Sequence, residues 1–113
     1  MNWARKPRIL VLDDERVIAN TLAQILRLEG CDADAVYTAG AALQALEIRP
    51  DLLITDVALD PDSINGIDLA IYYERECPDC KTLLISGHAA TTDLLVKARA
   101  AGHRFRLLQK PVH

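Results

Sequence analysis

The sequence predicts an α/β fold: a doubly wound, five-stranded parallel sheet with helices on both faces. Three observations predict it. Short apolar runs alternate with segments of helical periodicity along the whole chain. Such alternation implies right-handed crossovers between parallel strands. No internal repeat, low-complexity segment or linker interrupts the 113 residues, half of which are apolar, so residues 1–113 read as one domain with a single core. Four apolar runs also stop on polar groups. Ile9-Leu10-Val11-Leu12 stops on Asp13-Asp14 and Leu52-Leu53-Ile54-Thr55 on Asp56. Leu83-Leu84-Ile85 stops on Ser86, and Arg106-Leu107-Leu108-Gln109 on Lys110-Pro111. Strand ends of this kind converge on one crevice at the carboxyl edge of a parallel sheet.

Residues 8–12 read as a buried strand, and residues 16–29 as a helix with Ile18, Leu22, Ile25 and Leu26 at helical spacing. Gly30 is its stop signal. Ala33 to Tyr37 is a weaker second strand, and Thr38 is an N-cap for a short helix with Ala42, Leu43 and Leu46 on one face. Pro50-Asp51 punctuates before the third strand, whose four-residue apolar run implies burial on both faces. A loop dense in turn formers, Ala58 to Gly66, leads into a third helix over 66–76. Thr82 to Ser86 is the fourth strand, and a fourth helix from Thr91 to Ala101 is stopped by Gly102. Residues 105–109 are the fifth strand. The sequence halts at His113, where a fifth helix is expected, so the domain reads as truncated at its carboxyl end.

A formal charge of −3 with interspersed signs argues against direct nucleic-acid binding. Met1 to Arg8 is basic, but the apolar stretch behind it is too short for a signal peptide or a membrane span, so a cytoplasmic protein is expected. Three cysteines are an odd count, which argues against a disulfide framework. Cys77-Pro78-Asp79-Cys80 has redox or zinc spacing, yet it lacks a second ligand pair and lies between a helix and the next strand. It reads as an ordinary loop, and Cys31 as a small apolar residue entering a strand.

The strand-end groups carry the chemistry. Asp13, Asp14 and Asp56 supply the oxygen ligands that Mg²⁺ prefers. Two carboxylates about 5 Å apart repel by roughly 3 kcal/mol at an effective dielectric near 20, and Lys110 alone leaves the cluster net negative. A divalent cation resolves the excess. An aspartate can also attack phosphorus and form an acyl phosphate. Asp56 is the candidate nucleophile, because it ends the central strand and precedes an open loop. Ser86 would donate a hydrogen bond to a phosphoryl oxygen, and Lys110 would pair with another. Taken singly, an Asp-Asp-Glu after a strand is an ordinary helix cap and a Ser-Gly an ordinary turn. Their conjunction at successive strand ends is what carries specificity.

With these residues in place, the chain resembles a response-regulator receiver domain. The acidic pair in ILVLDDE, the phosphoacceptor in PDLLITDV, the switch hydroxyl in LLISG and the lysine in LLQKP follow that family's order over essentially the whole chain. The resemblance implies strand order 2-1-3-4-5 and a signalling domain, not an enzyme, of a two-component system. It implies phosphorylation of Asp56 by a histidine kinase or phosphotransfer protein, and a switching protein-interaction surface capable of homodimerisation. It also implies Mg²⁺ held by Asp13 or Asp14, by Asp56 and by the backbone carbonyl of Ala58.

Two departures stand out. The loop after Asp56 is about two residues longer before Gly66 than the family's, and Leu107 occupies the place of the inward-turning aromatic, with Phe105 the nearby rival. His88, two residues after Ser86, is either an exposed loop residue or a group that orients the hydrolytic water. Two rival functions are a phosphorylation-independent pseudo-receiver and a haloacid-dehalogenase-like phosphatase. The latter wants an Asp-x-Asp at the first strand, where this chain has Asp13-Asp14.

Overall fold

A computed structural model describes residues 5–59, 64–87 and 91–109, with the backbone alone over 91–94. The elements are β1 (Arg8–Leu12), α1 (Arg16–Leu28), β2 (Asp32–Val36), α2 (Ala39–Gln44), β3 (Leu52–Asp56), α3 (Gly66–Glu76), β4 (Lys81–Ser86), α4 (Thr91–Ala100) and β5 (Arg106–Gln109). The five strands are parallel in the order β2-β1-β3-β4-β5, as the family resemblance implied. Four α-helices flank them among the described residues, and a fifth is not among these.

β1 explains why the first run is continuously apolar rather than alternating. Ile9 and Val11 face Ala19 and Ala23 of α1, together with Ala33 and Ile54. Leu10 and Leu12 face the other way, onto Ala42 of α2, Leu69 and Tyr73 of α3, and Leu53. A strand covered on both faces has no polar side. A third cluster, Val57, Ile67, Ala70, Leu84 and Ala98, seats α3 and α4 over β4.

Helix ends follow the predicted glycines. After α1, the Gly30 N–H donates to Arg27 O at 3.1 Å and the Cys31 N–H to Leu26 O at 3.0 Å. After α4, the Gly102 N–H donates to Arg99 O at 3.0 Å and the His103 N–H to Ala98 O at 2.9 Å. Both are Schellman closures around a left-handed residue, with φ 94° at Gly30 and 95° at Gly102. Thr38 caps α2, accepting from the Ala41 N–H at 3.1 Å.

Three expectations change. Ile25, read as part of the apolar stripe of α1, is 50% exposed; the small side chains of Ala19 and Ala23 let the helix approach the sheet instead. The second half of the short helix tightens into a 3-10 turn over Ala45–Ile48, ending at Arg49 with φ 49°. The ring of Pro50 disfavours helical backbone at the residue before it. Cys77 and Cys80 lie in the loop between α3 and β4, as read, but it is not an ordinary exposed loop: both side chains are buried, packed with Tyr73, Leu10 and Leu53. No described helix is long and apolar enough to cross a membrane.

Candidate functional site

The sheet register brings the predicted groups together. Leu12 pairs with Thr55, so the next residues, Asp13 and Asp56, emerge side by side from adjacent strands. Asp56 in turn pairs with Ile85, one residue before Ser86. Asp13, Asp56 and Ser86 are all buried, whereas Asp14 is exposed. Asp13, Asp14 and Asp56 each offer a carboxylate oxygen within 4.8 Å of the others. At that spacing each charged pair repels by roughly 3 kcal/mol at an effective dielectric near 20.

The acids do not serve chiefly as helix caps. α1 has no acidic residue in its first turn, and the side chain of its N-cap, Glu15, makes no capping hydrogen bond. Asp13 spends one oxygen on the Glu15 N–H at 2.9 Å, which turns the chain from β1 into the helix. Its own N–H donates to Val36 O at 3.3 Å, extending the ladder to β2 by one step.

Asp56 is held from three sides. The Ala58 N–H donates to its Oδ1 at 3.3 Å, which places the Ala58 peptide at the rim of the site. The Thr55 hydroxyl donates to its carbonyl at 3.0 Å. From behind, α3 begins almost in contact: the Gly66 N–H donates to Val57 O at 2.9 Å, and a Cβ at Gly66 would lie 2.0 Å from the Asp56 carbonyl oxygen. Asn65 caps the same helix, accepting from the Asp68 N–H at 2.8 Å. Glycine is therefore required where α3 crosses the end of β3. Sequence reading placed Gly66 in the loop pattern and missed this contact, which only the register and helix start define. It also counted Thr55 as part of an apolar run and missed its hydroxyl.

The donor chemistry suits a hard divalent cation. Three carboxylates, each with an oxygen within 4.8 Å of the others, form the all-oxygen donor set that Mg²⁺ would take.

At the other end of the site, Gln109 of β5 pairs with Ser86, and Lys110 follows Gln109 in the chain but lies outside the described residues. His88 and the loop residues 60–63 also lie outside them. The register settles where the two aromatic candidates sit. Leu107 pairs with Leu84 inside β5, and both Leu107 and Phe105 pack against the third cluster. Phe105 precedes the strand and lies four residues before Gln109, about 13 Å along an extended chain from the level of Ser86. Its ring stacks on His103, 6.4 Å between centroids. Of the two, Leu107 rather than the aromatic Phe105 thus lies nearer the level of Ser86.

Comparison with known proteins agrees with this geometry. The family model described as the response regulator receiver domain matches residues 9–113. The nitrogen assimilation regulatory protein NtrX of Azorhizobium caulinodans is 31% identical over 104 residues, covering 91% of this chain. The chain spans only 22% of that relative's length. Among solved structures, the signal receiver domain of an HD domain-containing protein from Pseudomonas fluorescens matches with TM-score 0.83 and 30% identity, covering 100% of this chain and 82% of that one. The response regulator protein TrrA of Thermotoga maritima, in complex with Mg²⁺-BeF, matches with TM-score 0.77 and 26% identity over 95% of this chain and 89% of that one.

Proposed function

The chain belongs to the response regulator receiver domain family of two-component systems, and on that premise we propose that it is a phosphoacceptor working through Asp56. The observation that carries the reading is the convergence of three carboxylates within 4.8 Å at the ends of β1 and β3, beside the buried Ser86 of β4. Asp13, Asp14, Asp56 and the Ala58 carbonyl would hold Mg²⁺, which when bound would offset the negative charge brought by a phosphoryl group. That a neighbour of the same fold is a complex with Mg²⁺-BeF supports the choice of metal.

A carboxylate oxygen of Asp56 attacks the phosphorus of a phosphohistidine on a histidine kinase or phosphotransfer protein. The new O–P bond forms as the N–P bond breaks, and the imidazole leaves with the bonding electrons and takes up a proton. Asp56 is positioned for this by its Oδ1 contact with the Ala58 N–H and by the backbone of α3 behind it. Ser86 and Lys110 then bind phosphoryl oxygens, the lysine as a point charge. Water later hydrolyses the acyl phosphate, so the domain signals by occupancy and does not turn over a metabolite.

Incubation with Mg²⁺ and a small phosphodonor such as phosphoramidate is expected to add one phosphoryl group, removable by hydroxylamine. Asp56→Asn abolishes the modification, and chelation of Mg²⁺ prevents it. A wild-type protein that stays unmodified under these conditions contradicts the proposal. The phosphorylation-independent reading draws on Leu107, an aliphatic side chain where coupling to the β5 surface would occur. Partner binding indifferent to Asp56→Ala would favour it.

A further inference from the structure

At the amino edge of the sheet, away from the carboxylates, a cavity of about 400 Å³ lies between the end of α3 and the starts of β4 and β5. Lys81, Arg104 and Arg106 line it together with Thr82, Phe105 and Glu74. None of the three cations makes an ion pair among the described residues, and the one lining carboxylate, Glu74, is engaged by His103 Nδ1 at 3.3 Å. The segment leading into β5, residues 99–106, holds three arginines and no Asp or Glu, in a chain whose net charge is −3.

We propose that this cavity binds a small, multiply charged phosphoanion. Three like charges around one cavity repel, and an anion placed among them removes that repulsion. Arginine forks match phosphate oxygens two at a time, and the Thr82 hydroxyl adds a neutral donor. A volume of this size falls in the range of small-molecule pockets and exceeds the needs of a single bound water. Three cations against Glu74 leave a surplus of two positive charges, which a dianion balances. The cavity opens at the start of β4, five residues and about 17 Å along the strand from Ser86. Its ligand is therefore separate from the group Asp56 is proposed to accept.

Titration calorimetry of the whole chain with pyrophosphate, in EDTA so that the carboxylate site holds no metal, tests this. Binding to the wild type is expected, with affinity falling at least about tenfold in Arg104→Ala/Arg106→Ala. Lys97→Ala/Arg99→Ala removes the same charge from α4 outside the cavity and is expected to change affinity by no more than about twofold. Thermal unfolding and Mg²⁺-dependent phosphorylation of both variants show that each is folded. Absence of pyrophosphate binding, equal weakening by the two double variants, or binding of polyglutamate without binding of pyrophosphate overturns the proposal.

Discussion

At the scale of single residues, the site depends on a side chain that is not there. Gly66 lets α3 start against the carbonyl of Asp56, and the atom a Cβ would strike at 2.0 Å is backbone, which cannot rotate away. Gly66→Ala is expected to cost about 3 kcal/mol in denaturant unfolding. It should also slow phosphorylation, because the displaced helix carries the Val57–Gly66 hydrogen bond with it. Wild-type phosphorylation kinetics in this variant would show that the close approach is incidental. The cysteines give a second residue-scale prediction. Burial, reinforced by the neighbouring Cys77, pushes the Cys80 thiol up to about 12, so almost none of it is thiolate near neutrality. Cys31 is only partly buried. Under native conditions iodoacetamide is expected to modify Cys31 first, with Cys77 and Cys80 following only on unfolding. The Cys-x-x-Cys spacing alone could not reveal this, because burial depends on how α3 packs on β1 and β3.

Among elements, the strands were the most legible part of the chain and the helix faces the least. An apolar run bounded by turn residues is a local signal, and all five strands lie where such runs predict, with ends shifted by at most a residue or so. Ile25 misled because helical spacing identifies a stripe but not which part of it meets the sheet; two alanines took that role. One inter-strand fastening was invisible in the sequence. Asp51, just before β3, accepts from the Arg8 N–H at 2.7 Å and from the two terminal guanidinium N–H groups of Arg5 at 2.8 and 3.1 Å. It ties the entrances of β1 and β3 across more than forty residues of chain. The Arg5 hydrogen bonds hold its carboxyl below the usual carboxylate range, against the opposing effect of burial. A depressed folded-state pKa contributes stability above the unfolded value of 3.8, lost as pH falls through 3.8 toward the folded value. Asp51→Asn is therefore expected to be less stable than wild type at pH 7 by about 1–2 kcal/mol, with the difference shrinking below about pH 4 in urea unfolding. A gap that stays constant down to acid pH would show that the charge is not responsible.

Over the whole molecule, charges of opposite sign gather at the carboxyl edge of the sheet and at the starts of β4 and β5. The carboxyl edge collects Asp13, Asp14 and Asp56, and the amino edge of β4 and β5 collects Lys81, Arg104 and Arg106. The first was legible because its acids cluster at the ends of two apolar runs; the second was not, because its cations come from separate turns and strand starts. Strand order was likewise beyond periodicity and entered through the family resemblance. The central claim is that Asp56, among three adjacent carboxylates, is the one that takes the phosphoryl group. After exposure to phosphoramidate and Mg²⁺, borohydride reduction converts an aspartyl phosphate to homoserine, which peptide mass spectrometry locates. Homoserine at position 56, and at neither 13 nor 14, is the predicted result. Homoserine at position 13 or 14, or an unreduced chain throughout, would contradict the account.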